Sequence, residues 1–140
     1  MSYTVLGDAP AVAEHLEGTN KDFGTRILIT EETRRLAGSA VETREIASVD
    51  LPGEEKPQPV FELLARAGEL PPEAVELCEI FHYGLTAWRE RDWDRATERF
   101  EQCLRIAPDD GPTQAYLERL PDLRDHPPPG QGTAYWKIEL

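Results

Sequence analysis

The sequence predicts an α+β protein in two parts, with strands in the first half and helices alone in the second. Up to residue 66, short runs rich in β-branched residues alternate with amphipathic segments. Beyond Gly68 the apolar residues recur at spacings of three and four, which is typical of helices that share a core. A chain of 140 residues with 12 prolines is long enough for two small units, neither with a large core.

The first elements are a strand at 3–6, a tight turn at Gly7-Asp8 and an amphipathic helix. The apolar face of this helix consists of Val12, Ala13 and Leu16. We expect the helix to end at Gly18 and Asn20, because both residue types are favoured at helix C-termini. The β-branched run at 25–30 then predicts a buried strand.

A short helix is expected between Thr30, which can cap it, and Gly38, which can end it. Acidic residues in its first turn and arginines in its last agree with the helix dipole; they are Glu31, Glu32, Arg34 and Arg35. Segment 41–49 follows as a strand whose outer face is expected to be mostly polar. Pro52-Gly53 predicts a turn, and Gln58 to Leu64 predicts the returning strand.

The second half begins at Leu70-Pro71-Pro72-Glu73, which marks a linker and a helix start. One helical stripe consists of Cys78, Phe81, Leu85 and Trp88, and a second of Trp93, Ala96, Phe100, Cys103 or Leu104, and Ala107. Arg91-Asp92 is the predicted turn between them, with Asp92 as N-cap. A third helix is expected from Thr113 to Leu120.

The end of the chain is rich in proline and is expected to form an extended arm from Pro121 to Gly132. The apolar residues at 134–138 could dock onto the folded part. The two cysteines, Cys78 and Cys103, have no CxxC or Cys/His cluster beside them, so we expect them to act as small hydrophobes.

Two motifs link the first half to a known family. They are Tyr3-Thr-Val-Leu-Gly-Asp8 and Leu16-Glu-Gly-Thr-Asn-Lys21, and they resemble the back third of a class III adenylate/guanylate cyclase domain, which reads roughly Y-T-V-x-G-D-x-V-N-L-A-x-R-L-E-G-x-N-K. The resemblance continues through 41–60 to Phe61-Glu62-Leu63 and covers a little under half of the chain. It implies a partial, ferredoxin-like fragment of the cyclase domain at 1–66.

The same resemblance implies that the catalytic positions are substituted. The family's Asn and Arg, which orient the ribose and stabilise the transition state, fall on Ala11 and His15. A methyl group cannot replace an amide, and histidine lacks the bidentate fork of a guanidinium. The family's polyphosphate-binding lysine falls on Glu54, which exchanges a cation for an anion. The base-selecting position is Thr4, which is retained, although a strand threonine also packs well without a ligand.

Metal binding is expected only with a partner. The family's metal-binding aspartates precede the segment that matches here, so none is assigned to this chain, and no cofactor is expected for it alone. A partner that supplied those aspartates would bring Mg²⁺ or Mn²⁺ and ATP. The chain also shows no HExxH motif and no glycine-rich phosphate loop.

The helical pair resembles a tetratricopeptide repeat over 67–122, followed by a Pro-rich tail at 123–140. Gly84, Ala96, Phe100 and Pro108 stand at the spacing of that repeat. At Gly84 the first helix is expected to let its neighbour approach closely. Tyr83 and Ala87 depart from the usual Leu and Tyr of the repeat.

Charge and hydropathy limit the possible partners. The formal charge is −12, and so acidic a surface repels phosphate backbones and anionic lipid. No run approaches the ~20 apolar residues that cross a bilayer, and no signal peptide is visible. We therefore expect a cytoplasmic protein that binds neither nucleic acid nor membrane.

Three functions remain open from the sequence. The first is an inactive pseudo-cyclase that acts as a scaffold or regulator in cyclic nucleotide signalling, with a protein partner or a homodimer formed through its incomplete sheet and its helical hairpin. The second is part of an adenylate cyclase completed in trans. The third is a TPR-like protein-binding module.

Overall fold

A computed structural model describes the backbone of residues 4–5 and the whole of residues 10–127. The described chain forms two compact units, one that runs to Pro71 and one that begins at Pro72. Its strands are β1 (Thr4–Val5), β2 (Ile27–Thr30), β3 (Val41–Val49) and β4 (Gln58–Arg66); its α-helices are α1 (Pro10–Phe23), α2 (Glu31–Ala37), α3 (Pro72–Arg89), α4 (Trp93–Ile106) and α5 (Gly111–Asp125). All of these strands lie in the first unit, and the predicted α+β class is confirmed.

The four strands form one sheet in the order β1-β2-β4-β3. β1 pairs with β2 in parallel, whereas β2 and β3 both pair with β4 in antiparallel fashion. The core of this unit is contributed by α1 and by the inner residues of β2, β3 and β4. Its most buried side chains include Leu16, Phe23, Leu28, Ile29, Ile46, Val49 and Val60.

Helix α1 extends beyond the predicted end at Gly18 and Asn20. It continues to Phe23, which is fully buried, and Gly24 follows with φ 65°. Asn20 is also buried, and its Oδ1 accepts a hydrogen bond of 2.7 Å from Thr25 Oγ1. The prediction was wrong because the packing of Phe23 stabilises one more turn, and the residue that ends the helix is Gly24.

The short helix α2 has the predicted ends. The Thr33 N–H donates to Thr30 Oγ1 at 3.2 Å, so Thr30 is the N-cap. At the other end Gly38 has φ 58°, and its N–H donates to the Arg34 carbonyl. The predicted turn at Pro52-Gly53 is confirmed as well, since Gly53 has φ 84°.

The less buried residues of β3 are mostly polar, as predicted, but Arg44 and Ile46, on the predicted outer face, are buried. Glu45 lies opposite Phe61 and Ala47 opposite the next residue, Val60, so β3 contains one extra residue at Ile46, which is a β-bulge. An extra residue in one strand reverses the order of inward and outward side chains. Ile46 and Ala47 are therefore both fully buried, although they are adjacent in sequence.

The second correction in β3 is Arg44, which was expected on the polar face and is 6% exposed. It lies opposite Glu62 in β4, and its Nη2 donates to Glu62 Oε1 at 2.6 Å. The two side chains are 5% and 14% exposed, so this ion pair is largely removed from water. A partner on the adjacent strand is what permits the burial of the guanidinium.

In the second unit, α3, α4 and α5 surround Tyr116. The Tyr116 ring stacks on Phe100 with centroids 4.9 Å apart, and its neighbours Trp88 and Phe81 contact it edge-on at 5.1 and 5.9 Å. The predicted caps are present, because the Arg95 N–H donates to Asp92 Oδ1 at 3.2 Å. Cys103 is buried and Cys78 is half-buried.

The close approach predicted at Gly84 is confirmed. A Cβ atom placed on Gly84 would lie 2.8 Å from Phe100 Cε1 and 3.0 Å from two further atoms of the same ring. Gly84 and Phe100 are both fully buried, and neighbouring rings limit how far Phe100 could move. The contact between α3 and α4 thus requires glycine at this position.

Helix α5 passes through Pro121 and ends at Asp125, so the arm predicted from Pro121 does not begin there. Leu120 is 1% exposed, and Arg124 Nε lies 3.2 Å from Asp94 Oδ1. Arg124 also donates to Thr97 Oγ1 at 3.1 Å. The helix therefore continues past the proline, with Leu120 buried before it and Arg124 in contact with α4 after it. Residues 128–132 of the predicted arm, and the apolar residues 134–138, lie outside the described residues.

We expect Gly84→Ala to lower the free energy of unfolding by about 1–3 kcal/mol, because the new methyl group overpacks against Phe100. Urea unfolding followed by circular dichroism measures the change. Glu76→Ala, on the exposed side of the same helix, is the control and should stay within about 0.5 kcal/mol of the parent. Equal stability of the two variants would contradict the close packing.

Arg44→Met should destabilise the protein by about 3–5 kcal/mol, because Glu62 would remain buried without its cation. The double variant Arg44→Met/Glu62→Leu is expected to recover most of that loss. Asp94→Ala, which breaks the exposed pair with Arg124, serves as control and should cost less than about 1 kcal/mol. Urea unfolding measures the stability of all three variants. A double variant no more stable than Arg44→Met would contradict the interpretation of a buried ion pair.

Candidate functional site

A cavity of about 360 Å³ lies in the first unit, beside α1, the start of α2 and the turn end of the β3–β4 hairpin. Its lining residues are Val12, Thr30, Glu31, Glu32, Arg35, Leu51, Pro52, Glu54 and Gln58. This volume is large enough for a small ligand. The cavity is the candidate functional site because it contains Glu54, one of the residues singled out in the sequence.

The α2 wall of the cavity is set by the Thr30 cap. The hydroxyl of Thr30 holds the first turn of α2 and also lies 3.2 Å from Thr33 Oγ1. Glu31 and Glu32 follow directly in that turn, where the helix dipole favours acidic side chains. Arg35, one turn later, brings a guanidinium to the same cavity.

The hairpin wall is set by the turn after β3. Leu51 is 7% exposed, and its carbonyl accepts a hydrogen bond of 3.1 Å from the Glu54 N–H. Gly53 supplies the positive φ that this turn requires. The turn places Pro52 and Glu54 on the cavity wall, with Gln58 at the start of the returning strand.

The charge of the cavity is negative. Among the described residues, three carboxylates line it, from Glu31, Glu32 and Glu54, against the guanidinium of Arg35. No ion pair joins Arg35 to any of these carboxylates in the part of the chain that the structure describes. A polyanion such as a triphosphate would meet net repulsion here, whereas a cationic group would not.

The predicted site residues are only partly brought together. Glu54 lines the cavity, but Ala11 and His15 do not, although Val12 between them on α1 does. Ala11 is exposed. His15 is half-buried, and its buried Nε2 has no hydrogen-bond partner among the described residues. Thr4 lies in β1, opposite Ile27, and its side chain is outside the described residues.

Sequence reasoning missed three cavity residues, Arg35, Leu51 and Gln58. Arg35 was interpreted only as a charge that complements the α2 dipole. Leu51 precedes the turn and Gln58 begins the returning strand opposite Val49, so their place near the turn could have been noticed from the predicted hairpin alone. The contribution of α2 to the same cavity depends on tertiary packing and leaves no local signal.

Neither a metal-binding cluster nor a membrane-spanning segment is found within residues 4–5 and 10–127. No group of three or more His, Cys, Asp or Glu side chains there could hold a metal ion. No helix in this part is both long and apolar enough to cross a bilayer.

Comparison with known proteins gives one informative similarity. No family model matches the chain, and no solved structure gives a significant match. The chain is 29% identical over 125 residues to "Adenylate cyclase, terminal-differentiation specific" of Dictyostelium discoideum. The match covers 85% of this chain but only 6% of that protein. A match of this extent includes parts of both units, and it supports a cyclase-related region in this chain.

Proposed function

We propose that the chain is a degenerate or truncated class III adenylate/guanylate cyclase domain protein that is inactive alone. In this proposal it acts in cyclic nucleotide signalling as a scaffold or regulator, in the cytoplasm. The similarity to an adenylate cyclase supports the family, and the charge of the cavity supports the loss of activity.

The observation that carries the proposal is the carboxylate of Glu54 on the cavity wall, beside Glu31 and Glu32. Cyclisation requires cations that stabilise negative charge as it develops on the phosphates. Among the described residues, the cavity wall has three carboxylates and one guanidinium. Such a wall would destabilise negative charge on the phosphates. The exposed methyl group of Ala11 and the half-buried ring of His15 supply neither the amide nor the guanidinium that the family resemblance implies.

The second candidate is part of an adenylate cyclase completed in trans, and the 6% coverage of the relative favours it. A short piece of a large enzyme could regain activity if another chain supplied the metal-binding carboxylates, with Mg²⁺ or Mn²⁺ and ATP. The substitutions at Ala11, His15 and Glu54 argue against it, since the partner would have to replace those groups too.

The purified chain is expected to form no cyclic nucleotide from ATP or GTP with Mn²⁺, because the described residues that line the cavity are mostly acidic and repel a triphosphate. Product measured by mass spectrometry should not exceed that of a heat-denatured sample. A second reaction contains a cyclase that lacks the equivalent segment. Turnover by the chain alone would refute inactivity, whereas turnover only in the mixture would establish completion in trans.

Glu54→Lys should bind a fluorescent ATP analogue at least about threefold more tightly than Glu55→Lys in low salt, because only residue 54 lines the cavity. The two variants have the same net charge, so their difference isolates the position. Fluorescence anisotropy gives both dissociation constants. Equal affinities would show that the cavity wall does not govern phosphate binding.

A further inference from the structure

The helical unit has an uncovered face on the side of α3 away from its aromatic core. Tyr83 is two residues from the buried Phe81, so it lies about 200° around the helix from it. Tyr83 is 59% exposed, and Val75, two turns earlier on the same face, is 41% exposed. Among the described residues, these are two of the three large apolar side chains that are exposed.

A notch of about 100 Å³ opens beside Tyr83, between α3 and α4. Its lining consists of Tyr83, Thr86, Ala87, Glu90, Arg95 and Arg99. Ala87 is 2% exposed and forms an apolar floor. We name this surface the Tyr83 notch. Its volume suits one side chain or one carboxylate group, and it is too small for a drug-sized ligand.

The described residues that line the Tyr83 notch carry a net positive charge, opposite in sign to the net charge of the chain. The notch has two guanidiniums and one carboxylate, whereas the whole chain has a formal charge of −12. Arg95 and Arg99 are one turn apart on α4, where like charges destabilise a helix by about 0.2–0.5 kcal/mol. Packing within the unit does not explain why two guanidiniums line the same notch as an exposed aromatic ring.

The two arginines remain available to a ligand. The Arg99 guanidinium carbon lies 5.8 Å from the centre of the Tyr83 ring, and Arg99 Nη1 donates to Gln102 at 3.3 Å. Arg95 Nε lies 3.8 Å from Asp92, but both of these side chains are about half or more exposed, so the pair is weak. Each guanidinium has five N–H donors, and most of them are therefore free to bind a carboxylate.

We propose that the Tyr83 notch binds an acidic peptide segment of a partner protein, with one apolar side chain against the Tyr83 ring and carboxylates on Arg95 and Arg99. Tyrosine and arginine are the residue types that carry most binding energy at protein interfaces. Charge complementarity selects an acidic segment, and the net charge of −12 disfavours a second copy of this chain. The inference rests on the proposed scaffold function and names its partner class.

The test uses a fluorescein-labelled ten-residue peptide of glutamates with two central leucines, and the same peptide with lysines in place of glutamates. Fluorescence anisotropy with the full chain should show submillimolar binding of the glutamate peptide only. Raising the salt concentration from 50 to 300 mM should weaken it at least about threefold, because exposed charges are screened.

Arg99→Glu and Tyr83→Ala should each weaken binding at least about fivefold. Arg105→Glu makes the same charge change on an exposed part of α4 outside the notch, and should stay within about twofold of the parent. No binding, equal binding of the lysine peptide, or an equal loss with Arg105→Glu would overturn the inference. Self-association that Arg99→Glu abolishes, seen by sedimentation velocity, would also overturn it by identifying a second copy. None of these results bears on whether the chain forms cyclic nucleotide.

Discussion

The bulge at Ile46 is the constraint on which the first unit depends. One extra residue in β3 lets Ile46 and Ala47 both face apolar surroundings, and it fixes the register of everything that follows in the hairpin. With that register Val49 and Leu51 are buried, and the turn after them carries Glu54 to the cavity. Without the bulge, the strand would present its opposite face at every position beyond Glu45.

The register of β3 against β4 also explains why an ion pair can be buried in this sheet. Arg44 and Glu62 lie directly opposite each other before the bulge, so the guanidinium needs no long reach to find its carboxylate. A buried pair contributes little net stability compared with apolar residues of the same shape. The ion pair instead favours the correct strand register. If β3 slipped against β4, the guanidinium and the carboxylate would each be buried without the other.

Local chemistry made several elements predictable from the sequence. Thr30 and Asp92 accept hydrogen bonds from N–H groups three residues ahead, and Gly38 and Gly53 adopt the positive φ that their turns require. Each of these features is decided by residues within one turn of the chain. Segments of this kind are predictable because neither the sheet nor the core has to be known.

The errors came from elements whose ends or faces are decided by distant residues. Phe23 extends α1 because it has a core to enter, and Arg44 is buried because Glu62 is present on another strand. Helix α5 continues past Pro121, and Arg124 contacts α4 beyond it. Of the positions mapped from the family resemblance, Glu54 lines the cavity, whereas Ala11 and His15 are not among its described lining residues.

The cavity of the first unit and the Tyr83 notch of the second unit differ in the sign of the charge on their described lining residues. Carboxylates dominate the cavity of the first unit, and guanidiniums dominate the notch of the second. If a chain had only lost its catalytic residues, its substitutions would not be expected to favour carboxylates at one surface and guanidiniums at another. The similarity to an adenylate cyclase includes parts of both units, so the helices accompany the cyclase-related segment rather than standing beside it by chance. The charges of these two sets of described lining residues favour different ligands, a cationic group at the cavity and an acidic group at the notch.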